Sequence, residues 1–121
     1  MKTHLRANRV AELIQRKIAG ILIKKISDPR LCSATITAVK MTADLKIAKI
    51  YFTTSENFKK KEILKAFNKA SGFIKRNLAK HIETRYMPEL RFYYDETFEY
   101  SRHIEKILKN LTPETYKNDD T

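Results

Sequence analysis

The chain predicts an α+β domain with helices packed on one face of a three-stranded sheet. Three observations carry that expectation. Apolar residues recur at helical spacing near the N-terminus and again after residue 62, two β-branched runs alternate around a short link, and a third alternating run follows a proline near residue 88. At 121 residues and 42% apolar composition, one core and one domain are expected, with residues 1–111 folded and 112–121 a polar, disordered tail.

From Ala7 to Lys25, Val10, Ile14, Ile18, Ile21 and Leu22 form a stripe with helical period, so one long amphipathic helix is expected there. It ends before Ile26-Ser27-Asp28-Pro29-Arg30, because proline disfavours helical geometry in the residue before it. Ser33–Met41 and Ile47–Thr54 read as strands; Ala48, Ile50 and Phe52 alternate with Lys49, Tyr51 and Thr53. The Thr42–Lys46 link joins them as an antiparallel hairpin.

Ile63, Leu64, Phe67 and Ala70 then mark a second helix, and Phe73, Ile74, Leu78 and Ile82 a third. Ala70-Ser71-Gly72 lies between them. Glycine costs about 1 kcal/mol in a helix interior relative to alanine, so a kink or break is expected at Gly72. After Met87-Pro88-Glu89, a third strand places Leu90, Phe92 and Tyr94 on one face. A last helix over Phe98–Leu111 is expected to turn Phe98, Ile104, Ile107, Leu108 and Leu111 inward, and Thr112-Pro113 stops it.

Charge narrows the function classes. Twenty-five Lys and Arg against 14 Asp and Glu give +11, and the excess is uneven. Residues 1–90 carry +13 and residues 91–121 carry −2. Such an excess points to a polyanion: nucleic acid first, an anionic membrane surface second. A single cysteine, Cys32, excludes an internal disulfide and a multi-cysteine zinc site, so a reducing cytoplasmic compartment is expected. The longest apolar run is too short for a signal-peptide core or a bilayer span.

An enzyme would need a nucleophile with a base, a carboxylate pair, a metal cluster or a phosphate loop. His4, His81 and His103 are scattered, and two glycines cannot build a glycine-rich cradle. Asp95, Glu96 and Glu99 are the one acidic cluster; complementing a helix N-terminus is its ordinary explanation, and a metal or acid/base site the alternative. No enzyme activity, cofactor, metal or small-molecule substrate is therefore expected.

The basic residues are the stronger signal. Lys61, Lys65 and Lys69 recur every four residues opposite the Ile63/Phe67/Ala70 stripe, and Lys75, Arg76 and Lys80 continue the ridge. Like charges so spaced repel within a helix, which a polyanion partner explains and helix stability does not. Arg6, Arg9 and Arg16 form a second basic face on the first helix, where solvated surface charge and nucleic-acid contact stand as equal readings. Lys46 and Lys49 on the hairpin extend the expected footprint, while Asn68 and Ser71 offer hydrogen bonds to sugar or base edges. Among the strand aromatics, which include Tyr51, Tyr93 and Tyr94, Phe52 and Phe92 are assigned to the core rather than to base stacking.

Several ordered segments together resemble the ribosome-binding factor A family. They are Arg9-Val10 with the helix that follows, Ser27-Asp28-Pro29-Arg30-Leu31, Asp44-Leu45, Ala48-Lys49-Ile50-Tyr51-Phe52, Ala70-Ser71-Gly72-Phe73-Ile74-Lys75, and Arg85 to Phe92 through Tyr86-Met87-Pro88. Asp95-Glu96 before the last helix completes the set, which covers about residues 5–111.

The resemblance implies a KH-like domain of type II order, α-β-β-α-kink-α-β plus a C-terminal helix. In it the usual Gly-x-x-Gly clamp is replaced by an Ala-x-Gly kink, here at Ala70 and Gly72. It also implies a monomeric cytoplasmic factor that binds the free, immature small ribosomal subunit through its rRNA, assists late processing of that rRNA, and is associated with cold adaptation. Lys75 departs from the arginine frequent in the family after the kink, which weakens bidentate phosphate recognition. A generic KH-type single-stranded nucleic-acid-binding module remains the alternative.

Overall fold

The computed structural model describes residues 2–54, 58–82, 86–97, 101 and 103–110, with side chains from residue 5 onward. The elements run α1 (Lys2–Lys24), α2 (Pro29–Cys32), β1 (Ala34–Met41), β2 (Ile47–Thr54), α3 (Lys60–Ala79) and β3 (Glu89–Tyr94). α1 starts earlier than the apolar stripe predicts. α2 is a single turn at the segment read from sequence as a turn; Pro29 opens it, and the Asp28 carboxylate caps it by accepting from the Arg30 backbone N–H at 2.9 Å.

The sheet order is β1-β2-β3, with β1 and β2 antiparallel and β2 and β3 parallel. A parallel pair needs a crossover, and α3 supplies it between β2 and β3. The tight link of the hairpin holds Leu45 at φ 61, a left-handed conformation unusual for a side chain of its size. Asp44 braces that turn by accepting from the Thr42 hydroxyl at 2.6 Å and the Lys46 N–H at 3.1 Å. A bulge at Thr37 shifts the register between Ile36 and Ala38. The Thr37 hydroxyl then reaches the Asp95 carboxylate at 2.5 Å, while the Asp95 N–H donates to the Phe52 carbonyl at 2.7 Å.

The core lies between the sheet and the two long helices. Ile14, Ile18 and Leu22 of α1 meet Ile36 and Val39 of β1, and Ile63, Phe67, Ile74 and Leu78 of α3 meet Ile50, Phe52 and Phe92. Phe67 is the centre of an aromatic row, 4.8 Å from Phe52 and 4.7 Å from Phe92 between ring centroids. Phe52 and Phe92 are therefore core residues, as their alternation predicts. Thr53 departs from that alternation: it is buried, and its hydroxyl donates to the Tyr94 hydroxyl at 3.4 Å.

Two expectations need correction. The separate second and third helices are one helix, uninterrupted from Lys60 to Ala79. Its buried residues Ile63, Ala66, Phe67, Ile74, Asn77 and Leu78 keep one phase across Gly72, which itself stays on the exposed side. The helix is held by packing, and glycine there costs only propensity.

The last helix also differs. Residues 103–110 are helical, but Ile104, Ile107 and Leu108 are exposed instead of turned into the core. A three-stranded sheet is only about 10 Å wide between its outer strands, so two helices of about 10 Å diameter already cover its inner face. Phe98, Leu111 and the predicted disordered tail lie outside the described residues.

Candidate nucleic-acid interface

α3 presents its cations because its apolar stripe fixes its rotation. With Ile63, Phe67, Ile74 and Leu78 turned to the sheet, Lys65, Lys69, Arg76 and Lys80 fall within roughly 60° of arc on the opposite side, and all four are exposed. Asn68 and Lys75 are exposed on one flank of this ridge, with Ser71 and Ala70 half-buried.

Gly72 borders the same arc. A methyl group placed on it would lie 3.4 Å from Nη1 of Arg76, so the Arg76 guanidinium lies back over the bare backbone of the preceding turn. Arg76 thus runs back along the ridge, with its planar fork beside the ridge position that carries no side chain.

Two cations of α3 have acidic neighbours, one off the ridge and one on it. At the start of α3, on the sheet side and not on the ridge, Lys60 bonds both carboxylate oxygens of Glu96, at 3.1 and 3.0 Å, and sits 4.7 Å from the centre of the Tyr94 ring. Near the middle of α3, Lys69 faces the cap of α2. There the Arg30 guanidinium, bonding Asp28 at 3.1 and 2.8 Å, holds the Asp28 carboxyl below the usual carboxylate range, and the Lys69 charge adds to the effect. Lys69 is thus the ridge cation with a nearby counter-charge.

The remaining predicted residues do not all join this surface. Arg6, Arg9 and Arg16 are exposed on α1, with Arg9 and Arg16 nearly opposite its buried stripe. Arg16 helps line a cleft of about 270 Å³ with Lys17, Gly20, Lys24, Lys25 and His81, the last just past the end of α3. Lys17, Lys25 and His81 are not among the residues that sequence reasoning singles out. The pairs Arg16-Lys17 and Lys24-Lys25, two turns apart, are a visible signal for the cleft; His81 has none, because only the packing of α1 on α3 brings it there. Lys46 is exposed in the hairpin turn. Lys49 lies on the face of the sheet opposite α1 and α3 and is separated from the ridge by the core.

The outer sheet face holds the two aromatics that alternation leaves out of the core. Tyr51 and Tyr93 stack across β2 and β3, with ring centroids 5.6 Å apart and planes at 29°.

Among known proteins, the sequence pattern of ribosome-binding factor A matches residues 6–108. The chain belongs to the ribosome-binding factor A family. A ribosome-binding factor A from Desulfatibacillum aliphaticivorans is 52% identical over 114 residues, 93% of either chain. The crystal structure of ribosome-binding factor A from Thermus thermophilus superposes with a TM-score of 0.65 at 24% identity, over 73% of this chain and 94% of that one. A homology model of the Thermus thermophilus protein, fitted into a cryo-EM map of a 30S–ribosome-binding factor A complex, gives a TM-score of 0.54 at 22% identity, over 73% of this chain and 89% of that one. The α+β architecture is thus the KH-like fold of ribosome-binding factor A. Every predicted contact residue falls inside the segment shared with the family.

No helix of the described residues is long and apolar enough to cross a membrane.

Proposed function

We propose that this protein binds the free, immature small ribosomal subunit through its rRNA and assists late maturation and processing of that rRNA without itself catalysing a reaction. The observation that carries the proposal is the α3 ridge: Lys65, Lys69, Arg76 and Lys80 aligned on the exposed side of a helix whose other side is locked into the core. Such a row neutralises successive backbone phosphates and releases their counterions, which supplies affinity with little sequence reading. The Thermus thermophilus relative fitted in a 30S complex supports the choice of subunit.

Arg6, Arg9 and Arg16, with Lys75 on the flank, extend the phosphate grip, and Asn68 and Ser71 supply hydrogen bonds beside it. Assistance then follows from differential binding. A factor that holds one rRNA arrangement more tightly than its competitors shifts the population toward it by that difference in affinity.

Sedimentation of cell extract through a density gradient tests the reading. Co-migration with free small subunits and absence from translating ribosomes is expected. Migration with translating ribosomes, or only with the unbound protein fraction, overturns it. Tight binding of short oligonucleotides without any association with the subunit would instead identify a generic KH-type single-stranded nucleic-acid-binding module.

A further inference from the structure

The face of the sheet turned away from α1 and α3 carries a row of cations. Strand register places Lys40 opposite Lys49, and Lys49 beside Arg91, so three cations from three strands form one row. Like charges directly opposite one another weaken a sheet. Arg91 has a partner in Glu89, bonded at 2.6 Å, but no carboxylate pairs with Lys40 or Lys49 among the described residues.

The next row along the strands is Ala38, Tyr51 and Tyr93. At the Ala38 end lies a cleft of about 400 Å³, walled on its far side by Asp95, Thr97 and Ser101. Lys40 reaches over the Tyr51 ring from β1, 5.5 Å from its centre, and Tyr93 stacks on Tyr51 from β3. Tyr93 stands on the edge strand and is 38% exposed. An aromatic pair ending at an exposed edge ring, beside a row of cations about 7 Å away along the strands, matches one unpaired nucleotide: a base to extend the stack and a phosphate for the lysines.

We infer that this outer sheet face is a second contact surface, one that takes single-stranded RNA by stacking a base on Tyr93 and holding the adjacent phosphates with Lys40 and Lys49. The charge row selects a polyanion, and the open aromatic edge selects one whose bases are unpaired, since paired bases cannot reach a ring on a sheet. The surface lies across the core from the α3 ridge, so one molecule can hold two RNA segments at once. The inference goes beyond the ridge reading and does not depend on it.

Binding of a short fluorescently labelled oligouridylate to the full chain, followed by anisotropy, tests the inference. The chain has no tryptophan, so quenching of tyrosine emission gives a second readout of stacking. Tyr93→Thr, which keeps a strand-forming residue, is expected to weaken binding roughly tenfold or more and to reduce the quenching, whereas Tyr93→Phe keeps both. Lys40→Ala with Lys49→Ala is expected to lower the slope of log affinity against log salt by about 1.4, or about 0.7 for each phosphate left without its lysine.

Wild-type affinity in a folded Tyr93→Thr protein, verified by its thermal melt, overturns the inference, as does an unchanged salt slope in the double lysine variant. The same measurements on Lys65→Ala with Lys69→Ala separate the two surfaces. If these ridge variants lose subunit association while the sheet variants bind oligouridylate normally, the ridge reading stands and the sheet inference falls. The reverse pattern removes the ridge and keeps the sheet.

Discussion

Lys25, one residue past α1, donates from Nζ to Oδ1 of Asn77 in the last turn of α3 at 3.0 Å. Asn77 is 8% exposed, and its amide donates in turn to the Phe73 carbonyl at 2.9 Å. The two long helices are thus tied at their C-terminal ends by a buried amide with both functions engaged, and Lys25 also lines the cleft with Arg16, Lys17, Lys24 and His81. Asn77→Ala removes the acceptor of Lys25 and is expected to lower unfolding stability by about 1–2 kcal/mol. Urea denaturation of the two proteins measures it; an unchanged midpoint would show that the tie contributes nothing.

Phe67 sits at the middle of the aromatic row in the core. It lies between Phe52 of the central strand and Phe92 of the edge strand and is fully buried. Phe67→Ala is expected to cost about 3–5 kcal/mol, a large share of the roughly 5–15 kcal/mol that holds a domain together. Phe67→Leu, which refills most of the space, is expected to cost distinctly less. Equilibrium denaturation of both variants gives the comparison, and equal losses would contradict the central position of the ring.

Gly72 separates what is legible in sequence from what is not. Composition around Ala70-Ser71-Gly72 points to a break, yet the apolar positions from Ile63 to Leu78 already share one helical phase, and that longer pattern decides the structure. Gly72 has no positive φ, and a methyl group on it meets only the Arg76 guanidinium at ordinary contact distance. Gly72→Ala is therefore expected to stabilise the protein by up to about 1 kcal/mol, read as a raised melting temperature. A lowered one would mean that the helix needs the glycine backbone.

The strands are legible for a related reason. Ala48, Ile50 and Phe52 alternate cleanly because β2 is central and covered by helices on one face only. Ile104, Ile107 and Leu108 carry an equally clear helical period, but periodicity reports that a face is apolar and cannot report whether the core has room for it. At the site, the α3 ridge follows from the sequence because it lies on one helix, whereas His81 and the Lys40–Lys49–Arg91 row require pairing between distant segments.

Asp28 predicts a pH dependence whose sign follows from its bonds. Its carboxyl is held low chiefly by the side-chain bonds from Arg30, so the folded state favours the ionised form more than the unfolded chain does. The resulting stability is complete above about pH 5, where the unfolded carboxylate is almost fully ionised, and is lost as pH falls through the lower folded value. Asp28→Ala removes the α2 cap and is expected to cost about 1 kcal/mol at neutral pH. The difference between variant and wild type is expected to shrink in acid; a difference that grows there would reverse the sign.

The ridge itself makes the functional prediction. Lys69, Lys75 and Arg76 are exposed and contribute nothing to the core, so their joint replacement by alanine is expected to leave a cooperative thermal melt within a few degrees of the parent. Each phosphate left without its cation takes about 0.7–0.9 from the slope of log affinity against log salt, so the triple replacement reduces it by about 2. Binding to purified small subunits at several salt concentrations measures both quantities. Weaker binding with an unchanged slope would mean that the three residues position the protein without touching phosphate. Arg76→Lys separates charge from geometry: it keeps the slope but gives up the planar fork that lies over Gly72, so affinity is expected to fall while the salt dependence does not.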